Sequence, residues 1–137
     1  MTYLQPAIDA TLPVLRAEAE ARMLSRCDIR RRTGRNAQNE ETGAVYPIWE
    51  TVAADVPLRL AGHETRTETI PGGERQVAHR MAHLPVVTIP ADGDYLEITA
   101  GDNAGLVLEV LEADWADQRT ARRVPVEAVQ RPEEWDL

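Results

Sequence analysis

The sequence contains no lysine and no phenylalanine, and it has a single cysteine and a single serine. Without lysine, the 15 basic residues are all arginine; they face 23 acids, for a net charge of −8 and a pI near 4.9. A protein that grips nucleic acid needs a cationic surface to displace counterions from phosphates, so this balance argues against general DNA affinity. A lysine-free composition also points to a GC-rich genome. With aromatics at only 4%, the core must come mainly from Val, Leu, Ile and Ala, with Trp49 and Trp115 as large anchors. The lone Cys27 cannot close an intrachain disulfide. Ser25 lies in no G-x-S-x-G setting, which removes nucleophilic serine catalysis. No apolar run approaches the ~20 residues that span a bilayer, and no charged-then-apolar leader opens the chain. A cytosolic protein with no membrane partner is expected.

The 137 residues, 43% of them hydrophobic, suit one domain with one ordinary core. The expected divisions of this single domain, 1–137, are an arm and helix over about 1–25, a β-domain over about 26–130 and an acidic tail over 131–137. Charge is uneven: residues 1–35 hold seven arginines and four acids, or +3, which leaves −11 for the remainder. Opposite ends of two copies could attract head to tail, although a solvated arginine cluster has the same composition.

Leu4, Ile8, Leu12, Leu15, Ala19 and Met23 recur at steps of three and four, the signature of an amphipathic helix. Thr11 as N-cap and Pro13 in the first turn place it at roughly 11–25, after a looser arm over 1–10. The period then changes to two. Cys27 and Ile29 alternate with Asp28 and Arg30, and further strands are expected at Val56 to Leu60, Val77 to Met81, the β-branched run Val86 to Ile89, Tyr95 to Thr99, Leu106 to Leu111 and Val124 to Ala128. Pro57, Pro85 and Pro125 restrict which strands can be central. Short turns are expected at residues 92–94 and 101–105. Arg32 to Ala44 and Ala61 to Glu74 are long and polar, and read as loops. The fold class is therefore mainly β: a small antiparallel barrel or sandwich with one N-terminal amphipathic helix and two long loops.

Chemistry-bearing motifs are scarce. No glycine-rich phosphate loop and no H-E-x-x-H occurs, and Cys27 sits in an alternating apolar pattern that marks a small core residue. His79 and His83 are four apart, which leaves them ~13 Å from each other on a strand, and His63 falls in a loop, so no metal is expected. Asp92 and Asp94 lack the rest of a calcium loop. No catalytic residue and no cofactor is assigned. A small β-barrel enzyme or ligand-binding module using Asp92, Asp94, Asp102 or the histidines stays as an alternative of a different class.

In order along the chain come a helix around Leu12-Pro13 and Leu15 to Glu20, a strand at Cys27 to Ile29, a polar stretch with Glu41-Thr42-Gly43, then Trp49-Glu50-Thr51-Val52 and Val56-Pro57-Leu58-Arg59-Leu60. A long polar stretch follows, then Leu84-Pro85 with Val87 and Ile89, Gly93 to Ile98, Leu108-Glu109-Val110 and an arginine-rich closing strand. This order and spacing, over roughly residues 11–130, resembles the head-completion or head-closure (stopper) proteins of long-tailed double-stranded DNA phages, particularly those infecting actinobacteria.

The resemblance implies a non-enzymatic virion subunit that forms a homo-oligomeric ring, commonly a dodecamer, at the head–tail junction after assembly in the host cytoplasm. Its partners would be the portal-bound adaptor and the tail or its terminator. Duplex DNA would pass through the channel without specific binding, and an acidic ring suits that passage because it repels the polyanion. In such rings a long loop can close the channel; Gly62, His63, Glu64, Thr65, Arg66, Thr67, Pro71, Gly72 and Gly73 form the better candidate gate, with a turn-forming tip. Arg30, Arg31, Arg32, Arg35 and Trp135 are candidate assembly contacts, Trp135 as a hook from the tail onto a neighbour. A tail terminator or another morphogenetic ring protein is the nearest alternative.

Overall fold

Strand after strand, two apolar residues spaced i, i+2 point inward while their polar neighbours point out, and this alternation assembles the barrel. The computed structural model describes residues 4–113 and 120–137. Helix α1 (Leu4–Ala21) precedes six strands: β1 (Ser25–Gln38), β2 (Val45–Ile70), β3 (Gly73–Leu84), β4 (Tyr95–Ala100), β5 (Val107–Val110) and β6 (Arg122–Val129). A short 3-10 turn, Glu133–Asp136, ends the chain. The strands are antiparallel and close in the order β1-β2-β3-β6-β5-β4, with β4 returning to β1. The fold is thus a barrel and not a sandwich.

Each strand gives one inward pair to the core: Cys27 and Ile29, Val56 and Leu58, Ala82 and Leu84, Leu96 and Ile98, Leu108 and Val110, Val124 and Val126. The register aligns these pairs across the ladder, Cys27 opposite both Val56 and Ile98, Leu96 opposite Leu108, and Val110 opposite Val126. Twelve side chains therefore fill a narrow interior in two layers, as a small barrel requires. Closure removes sheet edges, so Pro57 and Pro125 do not confine β2 and β6 to an edge; each sits within a ladder, opposite Arg26 and Met81.

The two long polar stretches are strands and not loops. β1 continues to Gln38, and only residues 39–44 turn. Asn39 Oδ1 accepts the backbone N–H groups of Glu41 and Thr42, and Ala44 O accepts Asn39 N–H. Likewise β2 runs to Ile70 and β3 begins at Gly73, so Pro71 and Gly72 alone make the tip, with Gly72 at φ 94°. Beyond the barrel, β1 pairs only with β2 past Arg30, and β2 pairs with β3 in register from Glu64↔His79 to Ile70↔Gly73. Two β-ribbons therefore extend the barrel, one from each end of the continuous strand β2. A ribbon that lies outside the core needs no apolar alternation, which is why its sequence reads as loop. The signal present was Thr65, Thr67 and Thr69, β-branched at every second position.

Three further expectations change. α1 begins two turns earlier than Thr11, with Pro13 inside it, and it stops at Ala21. Tight i→i−3 bonds from Arg22 N–H to Ala19 O and from Met23 N–H to Glu20 O close its end. Val86 to Ile89 is a turn and extended segment after Pro85, with Thr88 N–H bonded to Pro85 O and Val87 87% exposed. The C-terminal segment is docked on the barrel of its own chain. Trp115 lies outside the described residues.

Candidate functional site

Outside the barrel, β1 and β4 present Arg30, Arg32, Tyr95 and Glu97, because their neighbours Ile29, Leu96 and Ile98 are turned into the core. Trp49 on β2 stands opposite Arg32. Tyr95 and Trp49 lie with ring centroids 4.7 Å apart. Trp135, carried in by the 3-10 turn, meets them edge-on at 6.0 and 5.3 Å. Three aromatic rings from distant parts of the chain thus form one cluster. Offset and edge-to-face ring contacts of this kind stabilise by roughly 1 kcal/mol each beyond their buried area.

Arginines frame the cluster. The Arg30 guanidinium lies 4.2 Å from the Trp135 centroid, Arg131 lies 5.2 Å from it, and Arg32 lies 4.7 Å from that of Trp49. Arg30 also donates to Glu97 at 2.9 Å, and Arg131 pairs with the same carboxylate. The indole N–H of Trp49 donates to Glu134 at 2.9 Å, so the acidic turn is latched by a hydrogen bond as well as by ring contact. Two clefts flank Trp49, of about 350 Å³ against Tyr46, Ile48 and Trp135, and about 310 Å³ against Arg32, Tyr95 and Pro132. Arginine, tryptophan and tyrosine are the side chains that dominate binding hot spots.

Of the candidate assembly contacts, Arg30, Arg32 and Trp135 meet in this cluster. Arg31 departs from it: Nε and Nη2 donate in parallel to Asp94 at 2.8 and 2.9 Å, and this hydrogen bond holds the guanidinium above its ordinary pKa range. Arg35 lies apart on the β1–β2 ribbon, exposed, with its backbone N–H on Thr33 Oγ1. Trp135 packs against its own chain. The candidate gate residues Gly62, His63, Glu64, Thr65, Arg66 and Thr67 lie on β2, Pro71 and Gly72 at the ribbon tip, and Gly73 at the start of β3. Sequence reasoning missed Trp49, Tyr95, Glu97 and Glu134 as partners. Their contacts join residues 67 and 85 positions apart, and no local pattern announces them.

Burial, and the nearby charge of Asp28, push the Cys27 thiol up to about 12, so it stays protonated and inert at neutral pH. Asp94 is fully buried in its ion pair, Asp92 accepts the Ala113 N–H, and Asp102 sits in the exposed turn before β5. His79 and His83 share strand β3. Among the described residues no group of three or more His, Cys, Asp or Glu could hold a metal ion.

The chain is thus a closed antiparallel barrel with two ribbon arms and an arginine–aromatic cluster on its surface. The chain belongs to a family described as a family of unknown function, DUF6093, whose model matches residues 15–127. That span takes in β1 to β5 and most of β6, and leaves out Trp135. No curated protein and no solved structure matches the chain.

Proposed function

We propose that the chain is a structural subunit of a phage head-to-tail connector, a stopper or head-closure protein that assembles as a ring between the portal-bound adaptor and the tail. The observation that carries this reading is the β2–β3 ribbon. Seven consecutive register pairs, from Glu64↔His79 to Ile70↔Gly73, reach about 23 Å past the barrel at ~3.3 Å per residue. A paired ribbon with a two-residue tip is a stiffer gate than a loop of the same length, and twelve of them could obstruct a channel. α1 supports the assembly. Val14 and Leu15 are 59% and 46% exposed on it, apolar surface that a neighbouring subunit could cover. The net charge of −8 lets duplex slide and not adhere.

The test is a ribbon shortened in register, with residues 66–77 replaced by Asn-Gly between the partners Thr65 and Ala78. In the proposed role this variant folds, joins portal–adaptor complexes as rings visible in negative stain, and leaks DNA from filled heads. DNA retention by heads carrying the shortened ring would remove the gate. Wild-type chain that binds tail tubes and ignores connectors would move the protein to the terminator position.

A further inference from the structure

Residues 131–137 are held on the barrel by side chains. β6 ends at Val129, and among the described residues the backbone hydrogen bonds of the segment stay inside it: Trp135 N–H reaches Pro132 O, and Leu137 N–H reaches Glu134 O. Gln130 and Arg131, which lead into it, are exposed. The segment is therefore an appendage laid on a finished surface, and no strand of the ladder depends on it.

That surface is set by the barrel. Cross-strand pairing places Arg30 beside Tyr95 and Arg32 beside Trp49, and the Trp49 and Tyr95 rings already touch each other. These four residues fall inside the span that the family model matches, whereas the segment lies beyond it. What the surface reads is a short pattern. Pro132, extended at φ −60° and ψ 133°, lines one cleft with Trp49 and Tyr95; Glu134 accepts the Trp49 indole N–H; and the Trp135 ring lies under the Arg30 guanidinium. An extended proline on aromatic rings, followed by an anchored carboxylate and an indole, is a mode of peptide recognition. The segment's own seat is imperfect, since the Trp135 indole N–H is buried without an acceptor, which is costly for a buried donor.

We propose that the Trp49–Tyr95–Arg30 surface is a docking site for the C-terminal segment of a second copy of this chain, residues 131–137 exchanging between their own barrel and a neighbouring one. A second copy's segment fits by identity. Every contact is reproduced in the exchanged form, and the chain need turn only near the exposed Gln130, so exchange costs little beyond association itself. Charge favours the approach, because Glu133, Glu134 and Asp136 of the segment come to a rim that carries Arg30 and Arg32. In dilute solution the tethered segment occupies its own seat through high effective concentration; copies held close together offer each segment two seats. The inference needs two copies and no ring, so it is independent of the connector reading.

Two full-length variants isolate the exchange. Trp135→Ala keeps the surface and loses the anchor, whereas Trp49→Ala keeps the segment and loses its seat; Trp49→Phe, which keeps a ring but removes the donor to Glu134, replaces the latter should it not fold. With only the Trp135→Ala chain 15N-labelled, its indole N–H signals come from Trp49 and Trp115. Unlabelled Trp49→Ala chain should shift the Trp49 signal saturably, and sedimentation should show a one-to-one complex that neither variant forms alone. A synthetic peptide of residues 131–137 should give the same shift, with Glu134→Ala in the peptide weakening binding about tenfold. A shift from the peptide without a complex between the mixed chains would overturn the exchange, and no shift from either would overturn the docking site as well.

Discussion

Arg31 grips the fully buried Asp94 through two parallel hydrogen bonds of 2.8 and 2.9 Å, and this pair locks the turn before β4 onto β1. Asp94 Oδ2 also accepts the Ala91 N–H, while its backbone carbonyl accepts Val110 N–H from the end of β5. One residue therefore ties three parts of the barrel end, two through its carboxylate and one through its backbone carbonyl. Its charge is tolerated because the guanidinium and the backbone donor satisfy it.

Removing Arg31 strands that carboxylate in the interior. Arg31→Ala should cost about 3 kcal/mol in urea unfolding, within the range for uncompensated buried charge. Asp94→Ala should cost less, because Arg31 can reach water. The double variant should lose about 2 kcal/mol less than the sum of the two single losses; strict additivity would show that the pair is not coupled.

Cys27 should make stability fall in alkali. The unfolded thiol ionises from about pH 9, whereas burial delays the folded thiol to about 12. Between those values the unfolded state binds fewer protons, so stability is full below pH 9 and declines above it, by up to ~1.4 kcal/mol per pH unit. Urea midpoints of wild type and Cys27→Ala between pH 8 and 11 measure the difference in slope. The same burial predicts that a disulfide reagent reacts at pH 8 in urea but not with the folded chain.

Two glycines should respond oppositely to alanine. Gly101 has φ +106°, and a Cβ there would lie 2.5 Å from Ser25 Oγ and 3.1 Å from Ser25 Cα, so backbone must shift. Gly101→Ala should cost about 2 kcal/mol. At Gly62 the added Cβ meets nothing within 4 Å, and Gly62→Ala should be neutral or stabilise by about 0.5 kcal/mol through the unfolded chain. Thermal unfolding of both variants checks the contrast.

The C-terminal latch should be separable from the barrel. Trp135→Ala removes ring contacts to Trp49 and Tyr95 and the stacking of Arg30, and should cost about 2 kcal/mol. Truncation after Gln130 should leave a folded barrel whose Trp49 fluorescence shifts to the red as water reaches it. Unchanged emission from Trp49 would mean that the latch does not cover it in solution.

How much of this was legible in the sequence follows from where the physics is local. Alternation at Cys27 and Ile29, Val56 and Leu58, or Leu96 and Ile98 marks a strand with one dry face, whatever its partners. Turn chemistry at residues 92–94 and 101–105 is similarly local, and so is the helical stripe of α1, apart from its ends. The two ribbons were hidden because they lie outside the core and lack the periodic signal that core burial imposes.

The sequence by itself determined a mainly β chain, a core of small aliphatic residues with Cys27 among them, and an acidic surface free of lysine. Closure into a barrel, the docking of Trp135 over Trp49 and Tyr95, and the Arg31–Asp94 clamp were decided only by the tertiary structure. Each of these depends on cross-strand register. That register is set when all twelve inward side chains find their layer at once, and no short window of sequence encodes it.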